Sequence, residues 1–422
     1  MKKLIPKPLV LAYHWCMALA AALWYWFPSR TLTVIGVTGT NGKSTTVEIL
    51  HHIFEEAGHK VASASSLRFR IGSDEIVNDK KMTMPGRFFV QKFLSDAKAA
   101  GCDTVVLEVT SEGARQFRHA HIAFDTVAIT NLTPEHIESH GGFENYRKAK
   151  LKIFRALNNS WKKKKHIVVN AAMADAKMFI EAAPHAEVWE YARDVHLLES
   201  SLHAISPADI SFERGVSFSV GGTHFESVLE GEFNLENMLC AIAVASAHHV
   251  SPEAVRQGIA KVLGVPGRLE YIAREPFAVV VDYAHTPDAL QKVYQTLKPQ
   301  AKHLICVLGA AGGGRDKWKR PELGRIADQY CDEIILTDED PYDEDPKTII
   351  DEVAKGMTAH APIVELDRTA AIGQAVGKAT VGDTVVITGK GAEPLMALSG
   401  GKKIPWDDRA IARSKIPTRP LE

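Results

Sequence analysis

The amino-acid sequence predicts an α/β protein of two successive parallel-sheet domains behind a short apolar N-terminal helix. Three observations predict it. A β-rich run, Thr33 to Val37, ends in the loop GTNGKSTT and leads into an amphipathic stretch, giving the order strand, loop, helix. Short apolar runs then alternate with helical stretches, the pattern of a parallel sheet with crossover helices. Turn chemistry at Gly264 to Gly267 (GVPG) is followed by a second strand–helix series of about 155 residues.

Composition bounds the answer. The chain has 422 residues, a length for two or three domains. Apolar residues make up 45% and charged residues 24%, with Gly and Pro at background, which excludes collagen-like and wholly disordered character. With 50 basic against 51 acidic residues the net charge is −1, so no nucleic-acid partner is expected. Five scattered cysteines (Cys16, Cys102, Cys240, Cys306, Cys331) form no CxxC pair. Neither a zinc site nor a disulfide framework is expected, and a reducing cytoplasm fits.

Residues 1–30 form the first segment. Pro8 to Ser29 is free of formal charge, and as a helix these 22 residues would reach about 33 Å. Trp24, Tyr25 and Trp26 suit an interface. Three readings stand: a helix docked on the next domain, a membrane-associated helix, or a cleaved signal. The signal lacks a small-x-small site. A span would leave Lys2, Lys3 and Lys7 outside if the rest is cytoplasmic, against the positive-inside tendency.

Residues 31–265 form the second segment. Thr45 to Ala57 places Val47, Leu50, Ile53 and Phe54 on one helical face. Asp103 to Val109, Thr126 to Asn131 and His166 to Asn170 read as buried strands, and Phe88 to Ala99 and Phe143 to Leu157 as helices. The run Lys162 to Lys165 reads as a solvated loop. Ser201 to Leu229 alternates and is broken by Gly221-Gly222, a hairpin excursion, before Asn234 to His249 returns to helix. In residues 266–422, Phe277 to Asp282, His303 to Gly309, Glu333 to Thr337 and Thr384 to Thr388 read as strands of a Rossmann-like domain.

The loop Gly36 to Thr45 carries the strongest local chemistry. Its glycines, Gly39 and Gly42 among them, let backbone approach a phosphate, and the following helix N-terminus favours anions. Lys43 is placed to bind β/γ-phosphates and Ser44 to offer a hydroxyl to Mg²⁺. Val37 stands where the strict P-loop spacing wants glycine. The strand–loop–helix context nevertheless predicts a P-loop-type nucleotide site that includes Thr40, Asn41 and Thr45.

This loop resembles the TGTNGK[ST] loop of the Mur ligase family, ATP-dependent amide-forming enzymes of peptidoglycan and folate metabolism. The resemblance continues in order along the chain. Glu108-Val-Thr-Ser111 is similar to EVSS, and Asn131 to His136 with His140-Gly141 to NLxxDHxxxHG. Tyr146 to Lys150, Asn234 to Asn237 and Gly267 to Glu270 resemble YxxAK, NxxN and GR[ML]E. Val281 to Leu290 reads VDYAHTPDAL in full, and Gly314 to Pro321 and Gly389 to Glu393 fit the MurE branch.

The resemblance implies a central ATPase domain, a C-terminal ligase domain, and closure of a site that draws on both. It implies ATP and Mg²⁺ as cofactors, and an acyl phosphate attacked by an amine. Lys43, Glu108, His136 and Lys150 are the implied catalytic set, and Ser44, Glu108, His136 and a carbamylated Lys150 the implied metal ligands. His140 is open between positioning and packing. Asn234, Asn237, Arg268, Asp282, His285 and Lys317 would hold ATP. Thr110, Ser111, Arg315, Asp340, Tyr342, Gly389 and Glu393 would meet the substrates, a UDP-N-acetylmuramoyl dipeptide and an amino acid. A cytoplasmic monomer is expected, with residues 8–29 able to meet the inner face of a membrane. The rivals are a ligase of folylpolyglutamate type and a non-catalytic nucleotide-binding scaffold. Intact Lys43, Glu108, His136 and Lys150 argue against the scaffold.

Two departures matter. About 30 residues precede the first strand, where cell-wall members carry a UDP-sugar domain. The expectation is that uridine recognition is weakened, that another surface or protein supplies it, or that the substrate differs. The MurE acceptor motif DNPR appears as Glu339-Asp340-Pro341-Tyr342. A tyrosine makes no bidentate ion pair with a carboxylate. The acidic set Asp338, Glu339, Asp340, Asp343, Glu344 and Asp345 predicts a basic acceptor, lysine or ornithine, over diaminopimelate.

Overall fold

A computed structural model describes residues 6–198, 201–213 and 215–417. Lys2 and Lys3, on which the orientation argument leaned, lie outside them. The chain divides into two compact units. The first is Met1–Pro134, Phe143–Val228 and Phe233–Leu263; the second is Glu135–Gly142, Leu229–Glu232 and Gly264–Glu422.

In the first unit α1 (Lys7–Trp24) precedes β1 (Thr33–Thr38) and α2 (Lys43–Glu56). Then come β2 (Val61–Ala64), β3 (Arg68–Ile71), β4 (Asp74–Val77), α3 (Arg87–Ala99), β5 (Thr104–Glu108), α4 (Ser111–Arg115) and β6 (Thr126–Ile129). The short α5 (Ile137–His140) belongs to the second unit. The first unit resumes with α6 (Phe143–Asn158), β7 (His166–Asn170), α7 (Ala176–Glu181), β8 (Glu187–Tyr191) and β9 (Ala204–Ile205). It closes with β10 (Ala208–Ser211), β11 (Val216–Val220), β12 (Thr223–Ser227), α8 (Glu232–Ala247) and α9 (Pro252–Ala260).

The nine-stranded sheet has the order β4-β3-β2-β5-β1-β6-β7-β8-β9, parallel from β2 to β9, with β3 and β4 an antiparallel extension. Its central strands β1, β5 and β6 are buried almost throughout and rich in Val, Ile, Leu and Ala, as strands of a parallel sheet covered on both faces are. β1 lies between β5 and β6, so the loops after these three strands meet at one sheet edge, where open α/β sheets bind ligands. The alternating segment forms a separate three-stranded sheet, β10-β11-β12, whose Gly221-Gly222 turn has positive φ at both residues, as a tight hairpin requires. β3 and β4 escape sequence reasoning because RFRI and DEIV are short and polar. α2 buries more than its apolar face: Glu48 is also enclosed, and against the upward push of burial His52 at 3.4 Å, then Arg68 and Arg70 at 3.2 and 2.8 Å, hold its carboxyl down to about 2. α9 packs on α2 so closely that a Cβ on Gly258 would stand 2.4 Å from Ile53 Cα.

The N-terminal segment is a docked helix. α1 buries Ala18, Ala21 and Ala22 and packs against α3, while Leu9, Trp24 and Trp26 remain exposed. No helix among the described residues is long and apolar enough to cross a membrane.

The second unit continues the numbering with β13 (Glu270–Ala273), β14 (Ala278–Asp282), α10 (Pro287–Leu297), β15 (Leu304–Leu308), α11 (Lys319–Tyr330) and β16 (Glu333–Leu336). α12 (Pro346–Ala354), β17 (Ile363–Val364), α13 (Arg368–Lys378), β18 (Thr384–Thr388), β19 (Leu395–Ala397), β20 (Lys403–Pro405) and α14 (Asp408–Lys415) complete it. Its sheet runs β13-β14-β18-β15-β16-β17, with only β13 antiparallel. The cysteine expectation is corrected here: Cys306 and Cys331 form a disulfide, with Cα atoms 6.0 Å apart. Pairing of β15 with β16 brings the two together, a juxtaposition that a 25-residue separation does not announce.

Arg368, fully enclosed, donates to both oxygens of Asp408 at 2.9 and 2.7 Å and to the Thr388 carbonyl at 2.8 Å. Asp408→Ala strands that guanidinium, so we expect a loss of about 3–5 kcal/mol, read as a lowered midpoint in urea unfolding. An unchanged midpoint would refute it.

Burial also lowers His51 and His248 to about 3 and His119 to about 4, against an ordinary 6.5. These imidazoles stay neutral in the fold, whereas the unfolded chain protonates below 6.5. Stability therefore falls as pH drops through 6.5 toward 4. Urea midpoints measured from pH 7.5 to 5 should decline, less steeply in His248→Gln.

Candidate active site

The phosphate-type loop joins β1 to α2 across the edge where β1, β5 and β6 end. Its conformation demands glycine at two places. Gly39 has φ +145, and a Cβ there would stand 1.9 Å from Thr130 Oγ1. Gly42 has φ +83, and its Cβ would stand 2.1 Å from Asn237 Oδ1. The segment that directly follows β6 fastens the loop. The Thr40 amide donates to the Asn131 carbonyl at 3.0 Å, the Asn41 amide to Asn131 Oδ1 at 2.8 Å, and Thr130 Oγ1 to the Asn41 carbonyl at 2.6 Å. Thr40 Oγ1 lies 2.9 Å from the Tyr146 hydroxyl. Thr45 is buried in the first turn of α2.

The reactive groups gather around Glu108, the last residue of β5. Its Oε2 accepts from Ser44 Oγ at 2.8 Å and from the Ser66 amide at 2.9 Å. Its Oε1 is 4.0 Å from Lys43 Nζ, which donates to the Thr40 carbonyl at 2.7 Å. Lys150, 1% exposed, reaches from α6 and donates to the Gly39 carbonyl at 2.6 Å. Burial first, then the Lys43 charge, pushes its amine well below the ordinary lysine range. The sequence alone would make Lys150 a surface residue; packing of α6 against the sheet encloses it.

The donor set fits nucleotide and metal. Lys43 and the amides opening α2 suit a phosphate, and the Ser44 hydroxyl with the Glu108 carboxylate is the hard-oxygen pair Mg²⁺ prefers. No group of three or more His, Cys, Asp or Glu that could hold a metal occurs among the described residues. Asn237 donates to Asn234 Oδ1 at 3.1 Å and closes on the loop opposite Gly42, so α8 joins this cluster. Thr110 instead caps α4, accepting from the Gly113 amide at 3.1 Å, with Ser111 buried behind it.

His136 and His140 are carried by the second unit. Asp316 holds their segment by accepting from the Ile137 and Glu138 amides at 2.9 and 2.8 Å. Lys319 pairs with the buried Glu135 at 3.0 Å, and the Lys317 amide donates to Glu138 Oε1 at 2.7 Å. Sequence reasoning overlooked Asp316 and Lys319. They stand inside GRDKWKRP, whose cations read as phosphate ligands.

The same unit gathers the residues expected at the acceptor. Glu393 accepts from the Tyr283 hydroxyl at 3.1 Å and pairs with Lys390 at 2.8 Å. Lys390, 1% exposed at its side chain, also pairs with Asp340 at 3.1 Å. Arg315 lies by Tyr283, Tyr342 and Glu393, and Arg268 stacks 4.3 Å over the Tyr283 ring. His285 donates from Nδ1 to the Tyr283 carbonyl at 2.8 Å; burial first, then Lys319, keeps its ring neutral. Asp282 is a brace for the backbone, its oxygens accepting from the Leu269 and Ala284 amides at 2.7 and 2.6 Å. Gly389 lies against Glu339, whose Oε2 has no hydrogen-bond partner among the described residues and whose carboxyl burial lifts to about 7.

The acidic residues 338–345 do not form one patch, which corrects that expectation. Glu344 pairs with Arg320 and Lys317, both at 3.0 Å, Asp345 caps α12, and Asp343 accepts from the Gly400 amide at 2.8 Å. Asp338 accepts from the Glu339 amide and Asp340 from the Ala397 amide. A linear stretch cannot reveal which carboxylates local turns and distant cations consume.

Comparison with known proteins agrees with this geometry. The model of the Mur ligase middle domain matches residues 37–245, and that of the Mur ligase, glutamate ligase domain matches 267–391. A UDP-N-acetylmuramyl-tripeptide synthetase of Roseiflexus sp. (strain RS-1) is 37% identical over 98% of this chain and 84% of its own length. A UDP-N-acetylmuramoyl-L-alanyl-D-glutamate–2,6-diaminopimelate ligase of Gloeobacter violaceus is 37% identical over 96% and 81%. A solved structure of a ligase with that diaminopimelate activity in its name aligns with TM-score 0.60 at 30% identity, over 91% of this chain and 78% of that one. A Mycobacterium tuberculosis folylpolyglutamate synthase, complexed with ADP and AMPPCP, shares the fold at TM-score 0.72 and 17% identity, over 88% and 91%. With the phosphate loop, the Glu108 cluster and the buried Lys150 set in this order on the first unit, and with both domain models matched along the chain, the chain belongs to the Mur ligase family of ATP-dependent ligases.

Proposed function

We propose that the chain joins an amino acid to UDP-N-acetylmuramoyl-L-Ala-D-Glu, as a MurE-type ligase. The convergence of Lys43, Ser44, Glu108 and Lys150 on one phosphate loop carries this reading. A carboxylate oxygen of the dipeptide attacks the γ-phosphorus of ATP and ADP departs, leaving an acyl phosphate. The incoming amine, having lost a proton, attacks the acyl carbon, and the tetrahedral intermediate expels phosphate to leave the amide.

Lys43 neutralises charge on the transferring phosphoryl group, and the opening turn of α2 holds the phosphates. Mg²⁺ supplies charge neutralisation and alignment of phosphate oxygens when held by Ser44 and Glu108. His136 is assigned as a ligand for a second ion. Lys150 is assigned as a carbamate. Its lowered basicity leaves a neutral amine free to add to CO₂ with loss of one proton, giving an anionic oxygen donor. Asn234, Asn237, Arg268, His285 and Lys317 are assigned to the nucleotide, with Asp282 bracing Arg268. Thr110, Ser111, Arg315, Asp340, Tyr342, Gly389 and Glu393 are assigned to the substrates. For the acceptor we propose lysine or ornithine, since Tyr342 offers no guanidinium to a distal carboxylate. For location we propose the cytoplasm, where ATP is at hand, at a membrane face met by residues 8–29.

Lys43→Ala and Glu108→Gln should each lower amino-acid-dependent phosphate release by roughly a hundredfold or more, with circular dichroism unchanged. Rates within twofold of the parent would refute the assignment. A panel of lysine, ornithine, diaminopimelate and glutamate with the UDP-dipeptide, read by mass spectrometry, tests the acceptor. A tripeptide from lysine or ornithine is expected, and a preference for diaminopimelate would overturn the acceptor proposal.

A further inference from the structure

The first unit contains a cavity that none of the site residues lines. It has a volume of about 530 Å³ and opens between α1, the segment after α4 and the C-terminal half of α6, within the usual range for organic ligands. Its walls are apolar and aromatic, including Trp15 and Leu19 of α1, Phe117, Ile122 and Trp161. Three cations also line it: Arg30, Lys152 and Arg155.

Arg30 and Arg155 are exposed and Lys152 is half-buried. The Arg30 guanidinium lies 3.6 Å over the Trp161 ring and 4.2 Å from that of Phe27, and the Lys152 ammonium lies 4.8 Å over Phe117. None of the three forms an ion pair with a carboxylate among the described residues. Burial, then Arg155, then Arg115 depress Lys152, with no acidic group offsetting them. Aromatic faces stabilise the cations only in part. The lining therefore suits a molecule with an apolar chain and an anionic end.

The surroundings extend the same chemistry. Leu9, Leu11, Tyr13 and Trp24 of α1 are exposed, as is Trp161, 74% accessible at the mouth. Lys163 and Lys164 follow it and are exposed. α1 does not qualify as a membrane-crossing helix, so its apolar face suits lying along an interface, where tryptophan and tyrosine are favoured and basic residues meet anionic head groups.

We propose that this cavity and the outer face of α1 form a docking surface for a bilayer containing anionic phospholipid. One acyl chain enters among Trp15, Leu19 and Ile122, and the head-group phosphate rests on Arg30, Lys152 and Arg155. The assignment depends on the membrane-face reading of residues 8–29 and adds the lipid class and the residues that select it.

Co-sedimentation of the full chain tests this with vesicles of phosphatidylcholine alone and of an equal mixture with phosphatidylglycerol. Binding to the mixed vesicles, weakened by added salt, and little to phosphatidylcholine is expected. Arg30→Ala with Arg155→Ala removes two cations from the surface and should weaken partition to the mixed vesicles by roughly thirtyfold. Trp161→Ala should weaken it also, while amino-acid-dependent phosphate release stays at the parent rate in both variants. Binding to mixed vesicles that the double variant leaves intact overturns the cavity assignment while the membrane-face reading stands. Equal binding to both vesicle types overturns the choice of anionic lipid. Binding to neither overturns both.

Discussion

The buried carboxylate of Glu108 organises the first unit's site. It ends the strand next to β1, so the sheet register that pairs Val37 with Glu108 delivers it beside the phosphate loop. A carboxylate removed from water must be satisfied by donors or cations. Ser44 and Lys43 of α2 and the Ser66 amide, between β2 and β3, meet that need. Lys43 and Ser44 sit in the first turn of α2, so fixing Glu108 also fixes the helix end that would face a phosphate. Lys150 completes the arrangement from α6, its amine set against the Gly39 carbonyl.

The second unit is organised differently. Its sheet edge gathers charges in alternating pairs: Lys390 between Asp340 and Glu393, Lys319 against Glu135, Arg320 between Glu344 and Glu352. Each pair ties a loop to a neighbouring element, which keeps polar side chains fixed where the chain leaves regular structure. Glu339 is the exception, an enclosed carboxyl whose Oε2 lacks a partner and which titrates near neutrality. The segment 135–142 shows how finely the chain is divided. Asn131 braces the phosphate loop of the first unit, whereas His136, five residues later, is held by Asp316 in the second. One short sequence motif thus serves two bodies.

Much of this was legible in the sequence because it is local. The order strand, glycine loop, helix follows from β-branched residues, two glycines in conformations closed to other residues, and a periodic apolar face. The strands at 126–129, 166–170, 304–308 and 384–388 announce themselves as apolar runs. β2 to β4, β8 and β9 do not, since short or polar edge strands owe their conformation to the neighbour they pair with.

The sequence by itself determined the two α/β units, the phosphate loop and the family, since all three are written in local pattern and motif order. Tertiary structure alone decided the rest. It buried Lys150 and lowered its basicity, because packing of α6 and not its surface-like sequence sets that environment. It divided the acidic run 338–345 among separate partners, joined Cys306 of β15 to Cys331 at the end of α11, and turned Asp282 into a backbone brace. Charge, solvation and bonding depend on which distant groups arrive at a residue, and only the folded chain specifies that.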